Sequence, residues 1–338
     1  MKILITGGAG FIGSSLGYYL SKKGYEVILI DNFSYGRLDN LVIDGEVFGE
    51  FIGLDIRSKE LSSYMQDVDI VFHFAGIAAL PDCQSDPYEA IDVNVAGTAN
   101  VLNAARINGV KKVIFSSTSA IYEANRNFPC QESDFTNPYL IYSNSKKQAE
   151  MLCYSFFKTY GLNSVILRFF NVYGPHQDMK RKHPPLIGYI LKELLQMGGG
   201  NRPILYSDGN QKRDYVYIDD VISLCELVMS NDNVHNKTLN VCTGEVVSVA
   251  EIYEIIAQYL NSNIKPLYNE AKDFWKKYPA LYEGKMILKN SILEDEVNKY
   301  ALGSNSIAKS LGWKPKYNIK QGLEECCKYA EKIFGGQR

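Results

Sequence analysis

The chain has 338 residues, 46% of them hydrophobic and 22% charged, with a formal net charge of −2. This is the profile of a folded protein of one large or two modest domains, and it excludes the concentrated basic excess of a nucleic-acid or anionic-membrane binder. No apolar run reaches the roughly 18 residues of a membrane span, the first strand-like run starts at Lys2 without room for a signal peptide, and the 7 cysteines lack a C-x-x-C pair, so a cytoplasmic protein without a disulfide frame or metal site is expected.

Residues 2–5 are apolar and β-branched without polar alternation, as a buried parallel strand is. The turn Thr6-Gly7-Gly8-Ala9-Gly10-Phe11-Ile12-Gly13 follows, then a helix whose apolar positions Ile12, Leu16, Tyr19 and Leu20 keep helical spacing until Gly24 stops it. Glycine triplets also arise in ordinary turns. Strand, glycine turn and helix N-terminus in succession, however, aim backbone N–H groups and the positive end of the helix dipole at one point, which suits a dinucleotide pyrophosphate. Gly7 permits the tight turn, Gly10 lets the phosphates approach the backbone beside Phe11 and Ile12, and Gly13 lets the helix lie close on the sheet. A second strand, 26–30, ends at Asp31, about 18 residues after the last glycine, where a carboxylate accepts bonds from ribose hydroxyls and repels a 2′-phosphate. NAD is favoured over NADP, with Arg37 close enough to soften the preference, and Asn32 joins the candidate cofactor contacts.

Further strand-like runs at 51–54, 70–74, 113–116 and 165–169 alternate with amphipathic stretches, which predicts an α/β fold, a doubly wound parallel sheet of Rossmann type. Asp55 and Ile56, and Phe74, Ala75 and Gly76, close two of these strands at the carboxyl edge where such sheets bind ligands. They read as adenine and pyrophosphate neighbours. His73, inside an apolar strand, reads as a structural histidine. Asn94 is expected mid-helix, its amide either bonding the strand ends or facing solvent.

Tyr142 and Lys146 are spaced to share a helix face. A free tyrosine, with a pKa of about 10, is a poor base, and a nearby ammonium with a positive nicotinamide would lower it toward neutrality. Such pairs also arise by chance on surface helices. The upstream run Phe115-Ser116-Ser117-Thr118-Ser119-Ala120-Ile121-Tyr122 raises this one, because it can supply a hydroxyl to bridge tyrosine and substrate. After Gly174 the pattern loosens through Pro175, Pro184, Pro185, the basic run Lys180-Arg181-Lys182 and Gly198-Gly199-Gly200. Residues 1–174, with return segments near 214–245, are expected to form the NAD-binding domain, and 175–338 mainly a smaller, sequence-interleaved substrate lobe. Residues 238–241 are strand-like, and Ser248-Val249-Ala250-Glu251 has capping-box spacing.

In this order the glycine turn, His73-Phe74-Ala75-Gly76, Asn94, the serine/threonine strand, Tyr142 and Lys146 resemble the extended short-chain dehydrogenase/reductase family. So do Arg168-Phe169-Phe170-Asn171-Val172-Tyr173-Gly174, Gly209-Asn210-Gln211-Lys212-Arg213-Asp214-Tyr215 and Leu311-Gly312-Trp313-Lys314-Pro315. The likeness runs through nearly the whole chain and is greatest to the NAD-dependent sugar-nucleotide epimerases and dehydratases, above all those of the UDP-galactose (UDP-glucose) 4-epimerase kind. The resemblance implies Tyr142 as the base, Lys146 as its partner and Thr118 as the hydroxyl on the sugar oxygen. Ser116 joins the cofactor contacts. It implies Asn171 and Arg213 on the substrate diphosphate, Tyr206 against the nucleobase and Tyr300 limiting the room beside the sugar; otherwise Tyr206 reads as core, Arg213 as a surface charge and Tyr300 as a buried packing residue. It also implies a homodimer, paired through the helix near 88–105 and the one carrying Tyr142, where Met151 and Phe156 read equally as interface or core.

There are departures. Ala78 stands where these epimerases often have a lysine, and a diphosphate-clamping arginine, aligned back from Leu311-Gly312-Trp313, falls on Leu293 while Glu296 keeps the following acid. Lys180 to Lys182 is a candidate replacement. Related dehydratases follow the catalytic threonine with an acidic pair, and decarboxylases keep a glutamate second; here Ser119 and Ala120 follow. The expected activity is NAD-dependent C4 epimerisation of a nucleotide-diphosphate hexose through a 4-keto sugar. The alternatives are a dehydratase, decarboxylase or dehydrogenase/reductase of the same family, and, from another class, a non-catalytic cofactor-binding regulatory protein.

Overall fold

The apolar runs become seven strands in a computed structural model that describes residues 1–196 and 200–334. Gly198 and Gly199 of the glycine run lie outside the described residues. The strands are β1 (Lys2–Thr6), β2 (Glu26–Asp31), β3 (Glu50–Gly53), β4 (Ile70–His73), β5 (Lys112–Thr118), β6 (Ser164–Phe169) and β7 (Thr238–Val241). They bond in the order β7-β6-β5-β4-β1-β2-β3, every pairing parallel. The inner strands are apolar on both faces, as the unbroken runs required; Ile3, Leu4, Ile5, Val71 and Phe72 are fully buried. Strand order reverses between β1 and β4, and at such a switch point the loops leaving the carboxyl ends part to form a crevice.

The chain forms two compact units. Unit 1, holding the sheet, comprises Met1–Phe169, Val221–Val241 and Asn305–Lys314; unit 2 comprises Phe170–Asp220, Cys242–Ser304 and Pro315–Arg338. The strand Asn171–Tyr173 pairs with Tyr215–Tyr217 inside unit 2 instead of lengthening β6, so the chain leaves the first unit earlier than position 174. Residues 305–314, which the sequence reading places in the second lobe, return to unit 1, where the Trp313 indole donates to Ser223 Oγ at 2.9 Å. In unit 2 the capping box forms as spaced, Ser248 and Glu251 satisfying each other's amides.

Helix α1 (Phe11–Lys22) joins β1 to β2. The next two connections are not the amphipathic helices expected. Asp44 and Gly45, both at positive φ, turn a small hairpin, Val42–Ile43 with Glu46–Val47, and Lys59–Met65 winds as a 3-10 turn capped by Ser58. Beyond β4 come α2 (Leu80–Ser85), α3 (Pro87–Ile91), a π-helical turn Asp92–Gly97, α4 (Thr98–Ile107) and, after β5, α5 (Ile141–Tyr160). Leu102, Ala149 and Cys153 from α4 and α5 pack with Val71, Val113 and Phe115 in the core. A Cβ at Gly13 would lie 2.2 Å from the Gly7 carbonyl oxygen, so the turn itself, not the sheet, demands glycine there. Gly17 is the residue that lets α1 lie on the sheet, with a Cβ meeting Leu29 at 2.8 Å. Among the described residues no helix is long and apolar enough to cross a membrane, and no histidine, cysteine or carboxylate group gathers as a metal site.

Candidate active site

Two clusters in unit 1 gather the residues singled out above. The first is a cavity of about 400 Å³ at the carboxyl ends of β1 to β4, lined by Gly7, Gly10, Asp31, Asn32, Asp55, Ile56, Phe74, Ala75 and Gly76. Gly7 sits at φ +73°, and a Cβ there would lie 2.7 Å from the Ala75 amide nitrogen, so the loops after β1 and β4 touch backbone to backbone. At the start of α1 the amides of Phe11 and Ile12 have no acceptor among the described residues, leaving two donors and the positive end of the helix for an anion. Asp31 is buried, its carboxylate accepting the Ala9 amide at 3.1 Å and the Phe33 amide at 2.8 Å. Burial raises its pKa while those amides lower it. The glycine cradle, the open amides and the buried carboxylate fit a dinucleotide.

Some residues behave otherwise than expected. Arg37 pairs with Asp39 at 3.0 Å. Asp55 pairs with Arg57 at 2.8 Å, which holds its carboxyl down at about 2, and accepts Asn32 Nδ2 at 2.8 Å, so its carboxylate is already committed within the wall. The sequence reading missed Ser34, Tyr35, Gly36, Ile77, Glu89 and Val93, which also line the cavity. Gly36 had a visible signal, a glycine shortly after the carboxylate: a Cβ there would stand 2.7 Å from both Asp31 oxygens.

The second cluster joins α5 to the end of β5. The Thr118 hydroxyl stands close enough to the Tyr142 phenol to favour its ionised form, and the Lys146 ammonium donates to the Ser116 carbonyl at 2.9 Å. A Cβ at Gly76 would fall 2.8 Å from Asn94 Oδ1 and 3.3 Å from Lys146 Nζ, so this glycine, a cavity-wall residue, borders both clusters. Asn94 lies in the π turn, holding the Ile77 N–H at 2.8 Å and carbonyl at 3.0 Å while donating to Ser145 at 3.0 Å. His73 is structural: its ring nitrogens bond Thr6 at 2.8 Å and Thr98 at 2.9 Å, and burial pushes its pKa down to about 3.

The expected lowering of the tyrosine is reversed among the protein's own groups. Burial pushes the Tyr142 phenol up to about 12, offset only in part by the Thr118 hydroxyl, and lowers the Lys146 ammonium to about 8. Behind the cluster lies a network that sequence reasoning missed. Glu150, one turn beyond Lys146, accepts Ser117 Oγ at 2.6 Å and a two-bond fork from Arg168, Nε and Nη2 each at 2.9 Å. Arg168 Nη1 also donates to Tyr122 Oη at 2.6 Å. The helical spacing that pairs Tyr142 with Lys146 would have reached Glu150.

In unit 2, Arg213 donates to the Glu296 carbonyl at 2.7 Å, and Asn171 Nδ2 donates to the Asp214 carbonyl at 2.9 Å. Tyr206 is half-buried, edge-on to Phe274 at 5.2 Å, with the Lys277 ammonium 5.6 Å from its ring centre. Tyr300 is 39% exposed, not the buried packing residue considered from the sequence. Leu293 is 1% exposed and its carbonyl accepts the Trp275 indole at 2.9 Å. It is a core position with no charged group to offer a phosphate. Lys299 pairs with the carboxylate of Glu296, the residue whose carbonyl Arg213 meets, at 3.3 Å, and Lys180, Arg181 and Lys182 are exposed.

A model of the NAD dependent epimerase/dehydratase family matches residues 3–242. A Methanocaldococcus jannaschii protein named putative UDP-glucose 4-epimerase is 32% identical over 325 residues, covering 95% of this chain and 96% of the relative. Among solved structures, UDP-glucose 4-epimerase from Thermotoga maritima with UDP-glucose is similar at a TM-score of 0.85 and 30% identity, covering 98% of this chain and 99% of its own. UDP-N-acetylglucosamine 4-epimerase from Methanobrevibacter ruminantium M1, in complex with UDP-N-acetylmuramic acid, matches at a TM-score of 0.85 and 30% identity, over 100% and 99%.

Proposed function

The chain belongs to the NAD dependent epimerase/dehydratase family, and from that premise we propose that it interconverts the C4 epimers of a UDP-hexose through a 4-keto sugar. The observation that carries the reading is the placement of Thr118, at the end of β5, beside the Tyr142 phenol, with Ser119 and Ala120 next in the chain. Thr118 orients the C4 oxygen and Tyr142 moves its proton. Gly7, Gly10 and Asp31 would hold NAD, which when bound would supply a hydride acceptor for C4 and a positive charge that favours the phenolate. Neither Ser119 nor Ala120 has a carboxyl to carry a proton for loss of water, and Ala120 lacks the glutamate that decarboxylases keep, so return of the hydride is what remains. Unit 2 supplies the substrate contacts: Arg213 and Lys299 for the diphosphate, Asn171 for a phosphate oxygen, Tyr206 for the base and Tyr300 beside the sugar. Unit 1 serves the cofactor and proton transfer, and unit 2 the nucleotide sugar. The protein works in the cytoplasm, the reducing compartment that suits its cysteines, all of them buried thiols.

Purified protein incubated with UDP-glucose, UDP-galactose and their N-acetylated counterparts is expected to give the C4 epimer of a UDP-hexose without net NADH and without a 4-keto-6-deoxy product. Loss of water or carbon dioxide by mass spectrometry would overturn the reaction class. Epimerisation confined to an N-acetylated sugar would overturn only the role given to Tyr300. The protein is expected to bind NAD in preference to NADP, and Asp31→Ala to narrow that preference. Equal affinity of the unmodified protein for both cofactors would defeat the role of Asp31.

A homodimer is expected through α3 and α5, whose Tyr88, Ile91, Met151 and Tyr154 are 80%, 42%, 61% and 53% exposed, whereas Phe156 packs against the core. Light scattering at micromolar concentration should give twice the chain mass; a monomer throughout would remove this assignment.

A further inference from the structure

We propose that Glu123 is a positioning residue that fixes Tyr142 against Thr118. Helix α5 begins without a cap of its own: Leu140 at its N-cap makes no side-chain capping bond, and the first turn contains no acidic residue. Its first amides and the positive end of its dipole therefore need an acceptor from elsewhere. Gln84 on α2 takes the first helical amide, the N–H of Ile141, at 2.6 Å, and Glu123 fixes the approach to the helix: its Oε1 takes the N–H of Tyr139 and the N–H of Leu140 at 2.9 Å just before α5, and the Ser143 hydroxyl at 2.9 Å in the first turn. Glu123 and Ser143 are both buried, so these bonds form away from water.

The placement of Glu123 in the chain gives the contact its consequence. The 3-10 turn Ser119–Tyr122 is capped at its start by Thr118, whose Oγ1 accepts the Ala120 amide at 3.1 Å, and it delivers Glu123 at its end. One short turn thus reaches Tyr142 from both sides: Thr118 meets the phenol, and Glu123 grips the backbone and side chain of the residues flanking it. The inference rests on the proposal that Tyr142 transfers the proton.

A displacement of about 1 Å in a reacting group can cost on the order of 100-fold in rate. In the full-length protein with NAD, Glu123→Ala is expected to lower kcat for UDP-hexose epimerisation by about 10- to 100-fold while KM and bound NAD stay within about twofold. Glu123→Gln, which keeps an acceptor oxygen, should restore most of the rate. An unchanged kcat, or a parallel loss of kcat, substrate affinity and NAD that tracks lost folded protein, would overturn the proposal. Should Glu123→Ala fail to fold, Ser143→Ala removes one of the donors and is expected to lower kcat severalfold at constant KM; an unaltered kcat there overturns it equally. Tyr142→Phe measured alongside separates the two readings. If Tyr142→Phe is inactive and Glu123→Ala fully active, only the positioning role fails, whereas an active Tyr142→Phe removes the proton-transfer assignment itself.

Discussion

Tyr142→Phe is expected to fold, to purify with NAD and to lose turnover by at least about 100-fold, the scale of a positioned acid/base group. The substitution deletes one oxygen and leaves the ring, so the packing of α5 on β5 stays. What goes is the hydroxyl that stands beside Thr118. Because burial holds this phenol at about 12, the protein's own groups keep it protonated at neutral pH. A compensating positive charge must therefore accompany its work as a base, and the loss on removing it should appear in kcat rather than in NAD binding. Turnover and cofactor content measured on the same preparation check this. A nearly fully active Tyr142→Phe would shift proton transfer to Thr118 or a water relay. Thr118→Ala should weaken turnover as well.

Glu150→Ala is expected to destabilise the protein by about 3–5 kcal/mol, because it strands the Arg168 guanidinium in the interior. Both side chains are only 5% exposed, and the fork between them closes at 2.9 Å. Removing one partner leaves an unpaired buried charge, whereas removing both costs far less. The double variant Glu150→Leu, Arg168→Met should therefore recover most of the stability in urea denaturation. A single variant costing under about 1 kcal/mol would show that water reaches Arg168 and that the pair is not truly buried. The same measurement bears on the site, since Glu150 anchors the face of α5 that carries Tyr142 and Lys146.

What the chain's order of residues determined by itself was everything written in a local code. Apolar runs specified the parallel strands, the left-handed conformation of Gly7 specified the turn after β1, and the spacing of Tyr142 and Lys146 placed them on one face of α5. Asp31 was legible because a strand end, a glycine turn and a carboxylate keep a fixed separation. Only the tertiary structure brought Glu123 to the start of α5, Gln84 to Ile141 and Arg168 to Glu150. Each of these contacts joins positions 17, 57 or 18 apart that share no periodic pattern. It also decided Leu293, whose burial in unit 2 no spacing from Trp313 could reveal. The direction of the Tyr142 shift was likewise beyond the sequence. Spacing names the neighbours of a group, but the desolvation that raises this phenol depends on how much of the folded chain surrounds it.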